Sequence, residues 1–183
     1  MPFNKILRAL GLPAMLVTVA GCFSEAERLL PEQLTADKVM LILRGVADSD
    51  NPRGQLDDWS ALEYARRAGF RGEVLEVAGN TSGDSAQVRM AVERIRHDET
   101  ITAIYGFSGG GYNARLIWQE LSAAERDRIR KVVVIGSPGV DNTHFVGSYD
   151  VIVKPDPPEG HMAGPKALLE SLDPESPQGQ PIE

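Results

Sequence analysis

Five short apolar runs, at residues 39–43, 73–77, 101–105, 131–135 and 149–153, punctuate the chain, each rich in valine and isoleucine and bounded by turn-forming or charged residues. Continuous apolar runs of this length mark strands buried on both faces, as in a parallel sheet. Amphipathic helical patterns lie between them. After the first run, Asp57 or Asp58 is placed to cap a helix whose apolar face reads Trp59, Leu62, Ala65 and Ala68, with Glu63, Arg66 and Arg67 left for solvent and Gly69 ending it. A second helix opens near Asp84 or Ser85 and gathers Val88, Ala91, Val92 and Ile95 on one side. A third follows a run of glycines and carries Ala114, Ile117, Trp118 and Leu121 inward. Both tryptophans are expected in the core. Strands and helices alternating in this order predict a three-layer α/β/α sandwich around a five-stranded parallel sheet, with strand order 2-1-3-4-5.

The same pattern bounds the domain at residues 39–172. Ahead of it, residues 22–38 are mostly polar and read as a tether. Behind it, residues 173–183 (DPESPQGQPIE) form a polar, proline-rich tail with no core to join, expected to be disordered. The first segment differs from both. Residues 1–8 carry Lys5 and Arg8 without an acid and residues 9–20 are almost wholly apolar, the layout of an export signal, and too short for a bilayer span of about 20 residues. It closes on Val19-Ala20-Gly21-Cys22, where the chain has its only cysteine. This closing motif resembles the lipobox of bacterial lipoproteins. The resemblance implies that residues 1–21 are a lipoprotein signal peptide and that Cys22 is lipidated, becoming the N-terminus of an exported protein anchored to the cell envelope. No Asp follows Cys22, so the resemblance does not suggest retention at the inner membrane. The formal charge of -7 argues against nucleic acid or an anionic membrane surface as the main partner and favours a neutral or weakly charged ligand.

Candidate chemistry centres on Tyr105-Gly106-Phe107-Ser108-Gly109-Gly110-Gly111, which contains G-x-S-x-G directly after the third expected strand and directly before the third helix. In that context the pattern describes a sharp turn that lifts a serine hydroxyl above the sheet. The tight turn needs small residues at Gly106 and Gly110, and the Gly109 N–H, at the positive end of the helix, would face an oxyanion. A glycine-rich anion-binding turn is the alternative, but no Lys follows the glycines as a phosphate-binding loop would require. Of the three histidines, His97 sits at the carboxyl end of the second helix, where the dipole alone favours it, and His144 follows the fourth strand. His161 follows the fifth strand, at the sheet edge where open parallel sheets bind ligands, and is the expected general base. Asp156, five residues earlier and at the same edge, is the expected acid partner, with Asp141 a rival and Glu159 a more distant one; Asp150 starts the strand at the opposite edge. The histidines do not fall at metal-ligand spacing, so neither metal nor organic cofactor is expected.

The order Ser108, Asp156 (or Asp141), His161 is that of the α/β-hydrolase family. Over residues 39–172 the sequence resembles that family, most closely its small cutinase-like serine esterases. The resemblance implies hydrolysis of a small-molecule or lipid-like ester without a cofactor. It also implies a second oxyanion donor from the loop after the first central strand, here Arg44, Gly45 and Val46, with Gly45 at its centre. The domain has no cysteine pair, and its acid and histidine share one short loop, which departs from the family pattern. A non-catalytic envelope lipoprotein using the same fold as a binding module is the competing expectation.

Overall fold

The computed structural model describes residues 37–46, 52–77, 79 and 85–172, with the side chains of 52–57 outside that description. The expected leader, Cys22, nearly all of the tether, the tail and Asp84 therefore lie outside the described residues. Five strands, β1 (Val39–Leu43), β2 (Arg71–Leu75), β3 (Ile101–Phe107), β4 (Lys131–Ile135) and β5 (Asp150–Lys154), form one sheet in the order β2-β1-β3-β4-β5. Every neighbouring pair is parallel. The helices are α1 (Pro52–Arg67), α2 (Ala86–His97), α3 (Gly109–Glu120), α4 (Ala123–Arg128) and α5 (Gly164–Glu170). The expected three-layer sandwich and strand order are those observed.

Alternation along the central strands builds two cores. Leu41 and Leu43 of β1, with Ile104, Val132 and Val134, meet Val88, Val92 and Ile95 of α2 and Ile117 and Trp118 of α3. Met40 and Ile42, with Tyr105, Val133 and Ile135, meet Leu62, Tyr64 and Ala65 of α1 and Leu168 and Leu169 of α5. Each Val, Leu, Ile or Met among them contributes about 1.5–3 kcal/mol on full burial. Strands enclosed on both faces therefore hold the carboxyl edge of the sheet rigid.

Some boundaries differ from the sequence expectation. Strand β2 starts and ends two residues earlier than its apolar content suggested, because it is an edge strand whose Glu73 is held by Arg71 within the strand and by Arg94 of α2. Strand β5 starts one residue later; Tyr149 stays outside, its ring under the Arg130 guanidinium at 4.3 Å. Helix α1 begins well before Asp57 and Asp58, so neither caps it. Asp58 is buried instead, and its ion pair with Arg44 at the end of β1 sets the rotation of the helix. That rotation turns Tyr64 inward and leaves Trp59 38% exposed, correcting the expectation that both tryptophans are buried. Trp118 does pack in the core, edge-on to Phe145 at 5.9 Å. Glu63 is not simply solvated, since bonds from Arg66 first and Arg67 second hold its carboxyl down at about 2. Helix α4 was not anticipated; Ser122 and Glu125 start it with a reciprocal capping box.

Candidate active site

Only Ser108 separates the end of β3 from the start of α3. Joining a strand to a helix in one residue forces that residue out of the ordinary backbone regions, and Ser108 has φ 53° and ψ -122°. Among the described residues it is the one non-glycine with positive φ. Such a conformation costs about 1–3 kcal/mol and persists only when its surroundings impose it. They do so here. The Ser108 N–H donates to Ile135 O at 2.9 Å, and Ser108 O accepts from the Ser137 hydroxyl at 2.7 Å and from Gly111 N–H at 3.0 Å. The Ser108 side chain makes no capping bond to its own helix, so the hydroxyl is not consumed by the turn.

The glycines around it are spatial requirements. A Cβ at Gly106 would lie 2.6 Å from Gly110 O, and one at Gly110 would collide with Leu43 O and stand 2.7 Å from Arg44 O. Residues 44–46 run beside the serine. A Cβ at Gly45 would be 3.0 Å from Ser108 Cβ and 3.6 Å from Ser108 Oγ, while one at Gly109 would be 3.3 Å from Val46 N. Gly45 O accepts from Gly79 N–H at 2.9 Å. Because a trans peptide points its carbonyl and its N–H in opposite directions, the Val46 N–H faces away from Gly79.

On the other flank, His161 Nδ1 is 2.7 Å from Asp156 Oδ1. The imidazole stacks on Phe107, the residue before Ser108, with centroids 4.8 Å apart and planes 25° from parallel. Gly136 lies against this pair: a Cβ there would be 2.5 Å from Asp156 Oδ1 and 2.9 Å from His161 Nδ1. The carbonyl just before Gly136 receives the Ser108 N–H, so both the dyad and the serine are seated on the end of β4. Among the described residues, no hydrogen bond joins Ser108 Oγ to His161. A cavity of about 450 Å³ lies beside the dyad, lined by Gly136, Ser137, Val140, Val153, Lys154 and Asp156 among others.

The remaining candidates are occupied elsewhere. Asp141 caps the turn Asn142–Phe145, where bonds from the Thr143 hydroxyl and N–H lower its pKa, and its own N–H donates to His144 Nδ1. His161 therefore has Asp156 and not Asp141 as its acid neighbour. His97 is exposed at the end of α2, 3.4 Å from Glu93. Glu159 is exposed on the loop between Asp156 and His161. Among the described residues no three histidine, cysteine or carboxylate side chains gather to hold a metal ion.

Several residues at the site escaped the sequence reading. Ser137 and Gly136 carried no recognisable signal, whereas Gln87 and Asn113 did. Both are polar residues on the buried stripe of an amphipathic helix, Gln87 four residues before Ala91 and Asn113 four before Ile117, and both are fully buried.

No family model matches the chain, and no curated protein matches it.

Proposed function

We propose that the protein is a serine hydrolase that cleaves carboxylic esters, with Ser108 as nucleophile, His161 as general base and Asp156 as its orienting acid. The observation that carries this reading is the strained backbone of Ser108 at a one-residue strand-to-helix turn, on the same sheet rim as a bonded His–Asp pair. Glycine would relieve that strain, so a serine held there is accounted for by what its hydroxyl does. The resemblance to the α/β-hydrolase family belongs to this proposal, supported by the strand order and by the order of the three residues along the chain.

The chemistry follows from the geometry. With Nδ1–H donating to Asp156, neutral His161 carries its lone pair on Nε2 and takes the Ser108 proton as Oγ attacks the ester carbon. The tetrahedral oxyanion is held by N–H groups of Gly109 and of the residue 45–46 segment, each such donor being worth about 3 kcal/mol. Protonated Nε2 returns the proton to the leaving alcohol. Water then enters by the reverse route, and the carboxylic acid and free serine are regenerated.

A fluorophosphonate probe and p-nitrophenyl ester turnover, applied to the full chain, test this reading. The Asp156→Asn variant is expected to lose about 100- to 1,000-fold in kcat, less than the ~10⁴ of a fully buried triad acid, because its side chain is 41% exposed and water partly replaces it. Asp141→Asn is expected to keep turnover within about twofold, since surface changes of this kind are small. Equal losses in both variants would remove Asp156 from the role.

Anchoring to the cell envelope through an acyl chain on Cys22 is part of the same proposal and rests on the sequence of residues 1–22. Cys22→Ser is expected to move the protein from the membrane to the soluble fraction. Unchanged membrane association would eliminate the lipid anchor.

A further inference from the structure

Three fully buried polar side chains join the serine-bearing helix to the loop opposite it. Asn113, on the second turn of α3, donates through Nδ2 to Ser85 Oγ at 3.1 Å and to Gln87 Oε1 at 2.9 Å. Gln87, in the first turn of α2, donates through Nε2 to Arg44 O at 3.1 Å and Val77 O at 2.5 Å. The chemistry of the partners fixes the amide orientations. Backbone carbonyls only accept, so the NH₂ group of Gln87 must face them and its oxygen must face Asn113. Asn113 then has to present its own NH₂ group to that oxygen. The chain of donors runs one way, from α3 through α2 to the ends of β1 and β2.

The Arg44 carbonyl is the first peptide of the 44–46 segment. Holding it fixes the direction of the Gly45 N–H on the far side of the same planar group. The following carbonyl, Gly45 O, is held by Gly79 N–H. Both peptides that could supply the second oxyanion donor are thus pinned by their oxygens, one of them through a side chain. On the opposite face of the sheet, the Arg44 guanidinium is held by buried Asp58, so the segment is gripped from both sides.

We infer that Gln87, oriented by Asn113, is a positioning residue that keeps the Arg44–Gly45 peptide turned so that the oxyanion site is formed before substrate arrives. This inference rests on the esterase reading above and deepens it. A peptide freed from its carbonyl partner can rotate, and a rotated peptide would present an oxygen where an N–H is needed. Gln87 touches neither substrate nor the reacting atoms, so its effect falls on the transition state and not on ground-state binding.

The test compares the full chain with its Gln87→Met variant, which keeps the side-chain length and removes both donors. Each is assayed at a temperature where thermal melts show it folded. The expected result is a kcat lower by about 10- to 100-fold with KM within about twofold, since lost oxyanion stabilisation acts on the transition state. The Ki of phenylboronic acid, whose tetrahedral serine adduct places a negative oxygen in the oxyanion site, should rise by the same factor. A variant that is merely loosened would show neither the kcat-against-KM split nor the matched Ki shift. If Gln87→Met does not fold, Asn113→Ser replaces it; this leaves Gln87 in place without its orienting donor and is expected to cost about 3- to 10-fold in kcat by the same route. A folded variant with unchanged kcat and unchanged boronate Ki overturns the positioning role and leaves the esterase reading intact. Absence of Ser108-dependent turnover in the parent chain overturns both.

Discussion

The Ser108→Ala chain is expected to lose ester turnover by about 10⁵-fold or more, and fluorophosphonate labelling altogether, while melting close to the parent. Activity goes because the proposed acyl intermediate forms on Ser108 Oγ, and oxyanion donors alone sustain about 10³- to 10⁴-fold acceleration over water. Stability stays because the hydroxyl does not cap α3, and the bonds that seat residue 108 run through its backbone N–H and carbonyl. Alanine keeps the Cβ and hence the strain of φ 53°. Glycine does not. Ser108→Gly is therefore expected to be equally inactive yet more stable than Ser108→Ala by about 1 kcal/mol, as the left-handed backbone is relieved. The pair of variants separates chemistry from architecture at one position. Labelling that persists in either would take the nucleophile's role from Ser108, and a less stable glycine variant would show that the turn is not strained.

The hydrophobic pattern revealed the sheet and its strand order because β1, β4 and β5 are dominated by Val, Ile and Leu, and β3 is apolar through Ile, Ala, Tyr and Phe. The pattern failed where burial was not its governing quantity. At β2 charged residues are held by ion pairs, so the strand takes in Arg71 and Gly72 and ends at Leu75, before Glu76 and Val77. In α1 the phase of the helix is set by the Arg44–Asp58 pair between residues distant in sequence, and no periodicity in the helix alone could show that Trp59 faces outward and Tyr64 inward. At the candidate site, the glycine turn and the placing of Asp156 and His161 on one short loop at the carboxyl edge of the sheet were readable from spacing. The choice of Asp156 over Asp141 was not. It depends on Asp141 being engaged by Thr143 and His144 in a cap of its own, a local geometry that residue identity leaves open. Gln87 and Asn113 could have been found as polar interruptions of buried stripes, but their partners include the Arg44 and Val77 carbonyls, the Ser85 hydroxyl and each other, which only the fold brings together.

Gly106→Ala is expected to be the most damaging single-methyl change at the turn, costing about 3 kcal/mol or more. The added Cβ would stand 2.6 Å from Gly110 O and 2.7 Å from both Gly110 C and Gly111 Cα. All three are backbone atoms of α3, so no rotamer change can clear them. Relief requires the helix to move off the strand by nearly an ångström, and the helix cannot move alone. Gly110 is itself pressed on the carbonyls of Leu43 and Arg44, and Gly111 on Ser137, whose hydroxyl holds Ser108 O. The strain therefore passes from the β3–α3 crossing into the serine turn, the residue 44–46 segment and the end of β4 together. For a domain of this size such a loss lowers Tm by roughly 10 °C, and the fraction that remains folded is expected to show reduced ester turnover, because Ser108, the proposed nucleophile, is displaced. Gly139→Ala is the matched comparison: φ there is +77° but nothing lies within 4 Å of the added methyl, so only the backbone penalty of about 1 kcal/mol applies. Calorimetric or fluorescence melts of the two variants decide the matter. Should Gly106→Ala melt no lower than Gly139→Ala, strand and helix do not cross as closely as the geometry requires, and the rigid turn on which the chemistry of Ser108 depends would have to be given up.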